Sequence, residues 1–497
     1  MKILTKLIAI SACLLFPIVE SFSQGPYGYY NDALTFSQTQ LGGTARVQGM
    51  GGVQISLGGD VSNILSNPAG LGLFNRSEIS ISPSASFQNS SSQYFNSSTD
   101  VFTSNFSIEN VGIVFNRSKD ARTEGDWRGG SFGISYTRTN NLNNEFQYRA
   151  TNPNTSILDY FLDASTGISE DDISDFGLVG LAYENYLINP IGGGNYDSFI
   201  EGFPQTQQET VRTSGRQSQF NVSYGGNYAD RIYFGGGIGF TSLNYRNEKV
   251  YSESFVGEPL NNMLITENFR VNGAGVNATF GVIVRPNDLV RFGASIVTPT
   301  INVLNDESGS TMSTLYNNYA YDPGDGTIIL RDFSLESALL VSEYTLKTPL
   351  RLNGGAALFF SKAGFISADV EYLNYRGNRF NARNFSMAED NQVIQDIYQP
   401  VVNVKLGGEY RFNMFRLRAG AGYYSDPYAG NTEISRSRLN LSAGAGIRLP
   451  TFYVDLAVLN DSFNTVYTPY EASVGDLPIV ETLNSMTRAV LTLGFNF

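Results

Sequence analysis

The stretch Asn403-Val404-Lys405-Leu406-Gly407-Gly408-Glu409-Tyr410-Arg411-Phe412 alternates strictly, and this alternation decides the fold class. Val404, Leu406, Gly408, Tyr410 and Phe412 fall on one face; Asn403, Lys405, Gly407, Glu409 and Arg411 fall on the other. A period of two belongs to a β-strand, whose successive side chains point to opposite sides. The pattern repeats at once, with Phe415, Leu417, Ala419, Ala421 and Tyr423 set against Arg416, Arg418, Gly420, Gly422 and Tyr424. It repeats again with Leu439, Leu441, Ala443, Ala445 and Ile447 set against Arg438, Asn440, Ser442, Gly444, Gly446 and Arg448. One face is apolar and the other carries full charges.

A soluble β-sandwich also alternates, and three features point instead to a transmembrane antiparallel β-barrel. The connections are tight at Asn413-Met414 and Pro450-Thr451 but long around 426–436 and 460–482, and short turns at one rim with long loops at the other mark a membrane barrel. The charged face has no soft apolar partner, which suits a wet or plugged lumen. The chain closes on Leu491, Leu493, Phe495 and Phe497, an apolar face with a terminal aromatic of the kind that barrel-assembly machinery reads. Composition agrees: 51 Gly, 29 Tyr and 34 Phe with a mean hydropathy of −0.15, and after residue 23 no apolar run long enough for a membrane helix.

Alternation places strands near 78–92, 102–117, 130–148, 216–225, 231–248, 266–284 and 289–303. It continues near 343–360, 364–379, 401–412, 415–425, 437–449, 452–459 and 486–497, about fourteen in all, an even number. Tight periplasmic turns fall at Gly226 to Asp230, at Pro286-Asn287-Asp288 and at Lys362-Ala363. The longest outer loop, about 149–215, carries an amphipathic stretch from Ile157 through Phe161 and from Ile173 to Ala182, read as helical. Its apolar residues have no evident wall to pack on, which leaves two readings open: a hydrophobic landing site, or a self-packed cap.

Residues 1–23 read as a cleavable signal peptide, with Lys2 and Lys6 before an apolar run from Leu7 to Ile18 and small residues at Ser21 and Ser23. Cleavage before Gln24 leaves 31 basic and 45 acidic residues, a balance unsuited to nucleic acid. It also removes Cys13, the only cysteine, and the chain has no histidine. The usual zinc, haem and iron–sulfur ligands and His-based hydrolytic triads are then missing, so no catalytic residue, metal site or cofactor is assigned. Asp322-Pro323-Gly324-Asp325-Gly326 fits a turn better than a calcium loop.

Residues 24–76 differ from the rest of the mature chain. They are Gly-rich and show helical fragments at 33–40, with Asp32 as cap, and at 61–65, with Asp60 as cap and Asn67-Pro68 as stop. Such a segment needs a container, which the barrel of 77–497 supplies.

The run Gly43-Thr44-Ala45-Arg46-Val47-Gln48-Gly49-Met50-Gly51-Gly52, then Asp60-Val61-Ser62 and Asn67-Pro68-Ala69-Gly70-Leu71, resembles the N-terminal hatch of the FadL-type long-chain fatty-acid and hydrocarbon transporters. The resemblance continues at Lys347 to Leu352, Ser367 to Tyr372 and Leu406 to Arg411. It implies a fourteen-stranded outer-membrane barrel plugged by the hatch, with Asn67, Pro68, Ala69 and Gly70 in the hatch-gating motif. It also implies a kinked third strand that opens the wall sideways; Gly129-Gly130 and Gly133 are the positions there that tolerate distortion. The family's carboxylate-binding basic residues do not map onto this sequence.

Among the lumen-facing charges, Arg351, Lys405, Arg411, Arg416, Arg418 and Arg438 could steer anionic head groups. Asp369, Glu371, Glu409 and Asp455 on neighbouring strands favour the blander reading, an internal salt network. Two functions are compatible with these features: passive transport of hydrophobic small molecules by a monomer in contact with outer-membrane lipid, or a protein-docking accessory barrel of a secretion system. An apolar tunnel from outer loops to lumen would favour the first, and a sealed lumen under a flat rim the second.

Overall fold

The computed structural model describes residues 28–119, 125–322, 326–430, 434–473 and 477–497. The signal segment 1–23 with Cys13, and Pro323, Gly324 and Asp325 of the candidate turn, lie outside the described residues. Fourteen strand passes form one closed antiparallel barrel. The first are β1 (Glu78–Tyr94), β2 (Ser97–Ser118) and β3, which runs in two pieces, Trp127–Asn141 and Asn144–Ala150. β4 (Thr206–Tyr228), β5 (Ile232–Ser254) and β6 (Leu260–Val284) are the longest unbroken strands. β7 (Val290–Val297, Ile301–Tyr321) and β8 (Ile328–Glu336, Leu340–Lys347, Arg351–Phe360) break at Pro299 and Pro349, residues with no N–H for the ladder. β9 (Gly364–Asn374, Arg379–Ala382), β10 (Pro400–Phe412), β11 (Phe415–Tyr424), β12 (Arg438–Arg448), β13 (Phe452–Tyr467) and β14 (Val480–Asn496) complete the wall. β14 pairs with β1 from Tyr94↔Val480 to Glu78↔Asn496, and the ring closes.

The alternation has a physical outlet. On β10, Val402, Val404, Leu406, Tyr410 and Phe412 are exposed on the outer surface while Asn403 and Glu409 are buried inside. The outer face therefore meets hydrocarbon and the inner face meets the lumen. Beyond the membrane the strands run further than alternation indicates. β4 begins at Thr206 rather than 216, β7 and β8 fill much of 304–342, and the outer loop shrinks to 151–205. Residues 206–215 are mostly polar, and Leu339, Leu340 and Val341 are exposed in succession, so the two-residue signal fades while ladder bonds continue. The rims are also less asymmetric than the sequence suggests, because Phe95-Asn96 makes a two-residue turn between β1 and β2 at the outer end.

Inside the lumen sit α1 (Tyr29–Ser37), α2 (Ala45–Gln48), α3 (Asn63–Ser66) and a 3-10 turn at Pro68–Leu73. Asp32 lies within the first turn of α1 rather than ahead of it. α3 starts after Ser62, with the Asp60 carboxylate accepting from the Ser62 amide at 2.9 Å.

The outer loop carries α4 (Ile157–Ser165) and α5 (Gly177–Glu184). Their apolar residues do have a surface to pack on, which corrects the landing-site reading for these side chains. Phe161, Ile173 and Ala182 are fully buried with Leu260, Met263, Met312 and Leu330 from the extended strand tips. They form a self-packed cap. A last helix, α6 (Ala388–Ile397), lies between β9 and β10.

Candidate functional site: the hatch seat and the lumen path

Asn67 is fully buried and joins three segments. Its side-chain oxygen accepts from the Ala69 amide at 3.2 Å, a local turn that starts the 3-10 helix. Its side-chain amide donates to Ile55 O at 2.7 Å in the hatch and to Val282 O on β6 at 3.5 Å. Glycines on the wall make room for it. A Cβ on Gly281 would lie 1.8 Å from the Asn67 side-chain oxygen, and Cβ atoms on Gly225 and Gly235 would fall 2.2 and 2.4 Å from the Pro68 backbone. Asn67-Pro68-Ala69-Gly70 is thus seated backbone to backbone against β4, β5 and β6. A second seat lies opposite, where Gly407 and Gly420 would bring a Cβ within 2.0 and 2.1 Å of Met50 backbone atoms.

Between the seats the lumen charges are neutralised in pairs. Arg418, with no exposed side-chain surface, contacts Glu409 at 2.8 Å and Asp455 at 2.7 Å. Arg411 adds a contact to Glu409 at 2.7 Å. The hatch contributes Arg46, which lies 3.4 Å from Glu409 and 3.6 Å from Asp60. Burial alone would lower the Arg46 pKa, but the Glu409 and Asp60 carboxylates more than offset it and keep the guanidinium charged. Arg351 and Lys405 share Glu371 at 3.9 and 3.5 Å.

Three residues of the expected network take other roles. Asp369 joins no ion pair among the described residues and instead accepts the hatch amides of Gln54 and Ile55 at 2.6 and 3.0 Å. Arg416 donates to the Asn413 and Phe415 carbonyls at the periplasmic turn, at 2.7 and 2.8 Å. Arg438 lies 4.5 Å from the Phe463 ring centre. Sequence reasoning missed Arg46 as a partner, although it stands inside the hatch motif.

Above the hatch, cavities adjoin one another. An inner chamber of about 160 Å³ lies between hatch and wall. Its lining is mixed: Phe36, Leu41 and Ile55 contribute carbon, while Thr137, Gln217 and Asn277 contribute hydrogen-bonding ends. It shares Thr39, Arg351, Glu371 and Tyr424 with a cavity of about 250 Å³ beneath α1. That cavity shares Asn31, Thr35, Tyr428 and Arg436 with an outer vestibule of about 860 Å³. Asp32 lines the vestibule, and burial, with Asp306 and Asp390 nearby, pushes its pKa up to about 8.

The chamber also reaches the wall. The β2–β3 ladder runs from Ser118↔Gly129 to Asn110↔Thr137 and stops. β2 continues outward through 97–109 with no partner on the β3 side among the described residues, while β3 stays paired with β4. Both strands are irregular at this fork: the β1–β2 register skips Glu109, and the β3–β4 register shifts between Arg138 and Asn140. An open cavity of about 1050 Å³ lies at the gap, bordered by exposed Phe106 and Ile108. Arg138 lines both this cavity and the inner chamber.

β3 is distorted at two places: a register shift between Trp127 and Gly129, where Gly129 has φ 107°, and the break at 138–143, which lies beyond Gly130 and Gly133. Gly130 and Gly133 serve packing. A Cβ on Gly133 would fall 2.7 Å from Ile64 of the hatch, and one on Gly130 would fall 2.4 Å from the Tyr224 hydroxyl.

No protein-family model and no curated protein sequence matches this chain. Solved structures do. A Pseudomonas aeruginosa FadL homologue superposes with a TM-score of 0.57 at 11% identity, over 93% of this chain and 100% of that one. The Pseudomonas putida toluene transporter TodX gives 0.51 at 14% identity, over 92% and 99%. The Ralstonia pickettii toluene transporter TbuX gives 0.50 at 13%, over 92% and 99%. At these identities the likeness is one of architecture: the chain has a FadL-like fold, a fourteen-stranded β-barrel with a small N-terminal helical segment.

Proposed function

We propose that this barrel is a passive outer-membrane channel for hydrophobic small molecules, most directly long-chain fatty acids or related hydrocarbons. The observation that carries the reading is the series of adjoining cavities from the outer vestibule, past α1, to the inner chamber and the gap beside β2. A seated hatch floors that path, so a ligand entering from outside is turned sideways into the bilayer. The mixed chamber lining suits a molecule with an apolar body and a polar end better than a bare hydrocarbon. The structural relatives named as toluene transporters support the hydrophobic class of cargo.

In this reading Asn67, Pro68, Ala69 and Gly70 gate by holding the floor, and the paired lumen charges stiffen it. Cells lacking the gene should take up labelled oleate more slowly, with recovery on complementation. Uptake unchanged by deletion, in a strain without a paralogue, would sink the fatty-acid assignment.

A further inference from the structure

We propose that Arg138 is a positioning residue that clips β3 away from β2 and so keeps the wall gap open. Arg138 is buried, and its guanidinium makes no ion pair among the described residues. Its hydrogen bonds all end on neutral groups created by the distortion: Asn141 Oδ1 at 2.7 Å, Gly215 O at 3.3 Å and Asn140 O at 3.5 Å. Asn141 Oδ1 in turn accepts from the Asn143 amide and side chain, at 3.3 and 2.6 Å. Gly215 stands opposite with φ 139°, and a Cβ there would lie 2.1 Å from Asn244 O, so β4 is shaped to the same bend. A charged donor makes stronger hydrogen bonds than a neutral one, and here a single guanidinium ties three oxygens of the bent segment together.

The facing strand supplies the opposing tendency. Residues 97–109 of β2 present an unpaired edge beside exposed Phe102, Phe106 and Ile108, and an unpaired strand edge at membrane depth favours re-pairing. A carboxylate waits at the fork: Glu109 is buried, held by Ser84 and Ser107 at 2.8 and 2.9 Å, with Arg488 at 3.6 Å. That carboxylate is already engaged, so the closing tendency rests on the unpaired edge and not on charge. The clip thus decides between two pairings of one strand. Its effect on cargo rests on the lateral-exit reading above, but its effect on the gap does not.

The test uses the full-length barrel with cysteines at Asn105 and Asn144, which line one cavity beside the gap and lie outside the clip, and a short bifunctional thiol reagent. A second pair at Ile113 and Ile134, direct ladder partners, serves as the control. Arg138→Met should raise gap cross-linking at least threefold and leave the control pair unchanged. Asn141→Ala, which removes one acceptor and keeps the arginine, should raise it less, and Arg138→Lys should restore a low yield. Equal gap yields with and without the Arg138→Met substitution overturn the clip, and so does a rise shared by the control pair. If gap cross-linking rises while oleate uptake is unchanged, the clip stands and the lateral exit falls.

Discussion

The hatch and the outer cap are both helical insertions into one barrel, yet they are held by different forces. The cap is fixed by carbon: Phe161, Ile173, Ala182 and Leu187 are buried with residues from the tips of β5, β6, β7 and β8 in one continuous core. Within the hatch, α1 alone joins a large apolar cluster, with Tyr29, Leu34 and Phe36 buried among Tyr344, Phe380 and Tyr398. Residues 41–74 have only small ones, such as Met50, Val53 and Leu57 against Ala357 and Phe365. Their joints are glycine seats, ion pairs and single hydrogen bonds, among them Ala45 N to Thr492 Oγ1 at 2.7 Å and Ile64 O from Ser223 Oγ at 2.7 Å. Apolar burial is non-directional and tolerates sliding poorly once packed. Polar joints fix one position and can be released one at a time. In the proposed reading the roof is held by packing and the floor by polar joints, and cargo passes between the two.

The largest effect on this contrast is expected at Arg418. Arg418→Met leaves Asp455 buried without its nearest partner and takes one of three cations from Glu409, a loss of about 3–5 kcal/mol. Heat-modifiable gel mobility should show the barrel unfolding at a clearly lower temperature; an unchanged transition would mean the charges are solvated and not structural. Phe161→Ala should cost a similar amount, about 3–5 kcal/mol, but confined to the cap. Protease cleavage within 151–205 should accelerate while the barrel transition stays in place. A coupled fall of both would erase the distinction between roof and wall.

A smaller effect is expected at Asn67. Asn67→Ala removes the bonds to Ile55 O and Ala69 N and leaves buried backbone groups unpaired, about 1–3 kcal/mol. The floor should loosen without unfolding, read as added ion conductance in planar bilayers; a silent channel would place the gate elsewhere. The smallest effect is one of pH. Asp32, ordinarily near 3.8, is pushed up to about 8 by burial with Asp306 and Asp390 nearby, so docked α1 holds a proton that free α1 releases. Docking is therefore favoured most at low pH, and this contribution is lost as pH rises from about 4 through about 8. Hydrogen exchange of 29–37 should speed up across that window, and Asp32→Asn should flatten the trend.

Much of the wall was legible because hydrocarbon outside and charge inside force a two-residue period on strands such as 403–412. Legibility ended where that contrast ended. The outer half of β4 is mostly polar, so Thr206 to Gly215 reads as loop, and on β8 the exposed Leu339, Leu340 and Val341 break the alternation. The ion pairs of Glu371 and Glu409 could be anticipated from opposite signs on adjacent strands. Arg46 could not, since its partner lies 363 residues away across the lumen. Arg138 was hidden for another reason: its partners are set by a register shift just after it, between Arg138 and Asn140, and no alternation rule signals a bulge.

Cargo, in this account, leaves through the wall above a floor that stays in place. Ser56 of the hatch and Ser367 of β9 have hydroxyls 3.2 Å apart, both buried, and cysteines there can staple the floor to the wall. Labelled oleate uptake should be the same with the Ser56→Cys/Ser367→Cys staple oxidised or reduced. Uptake abolished on oxidation and restored by reductant would contradict the account and route the cargo through the hatch.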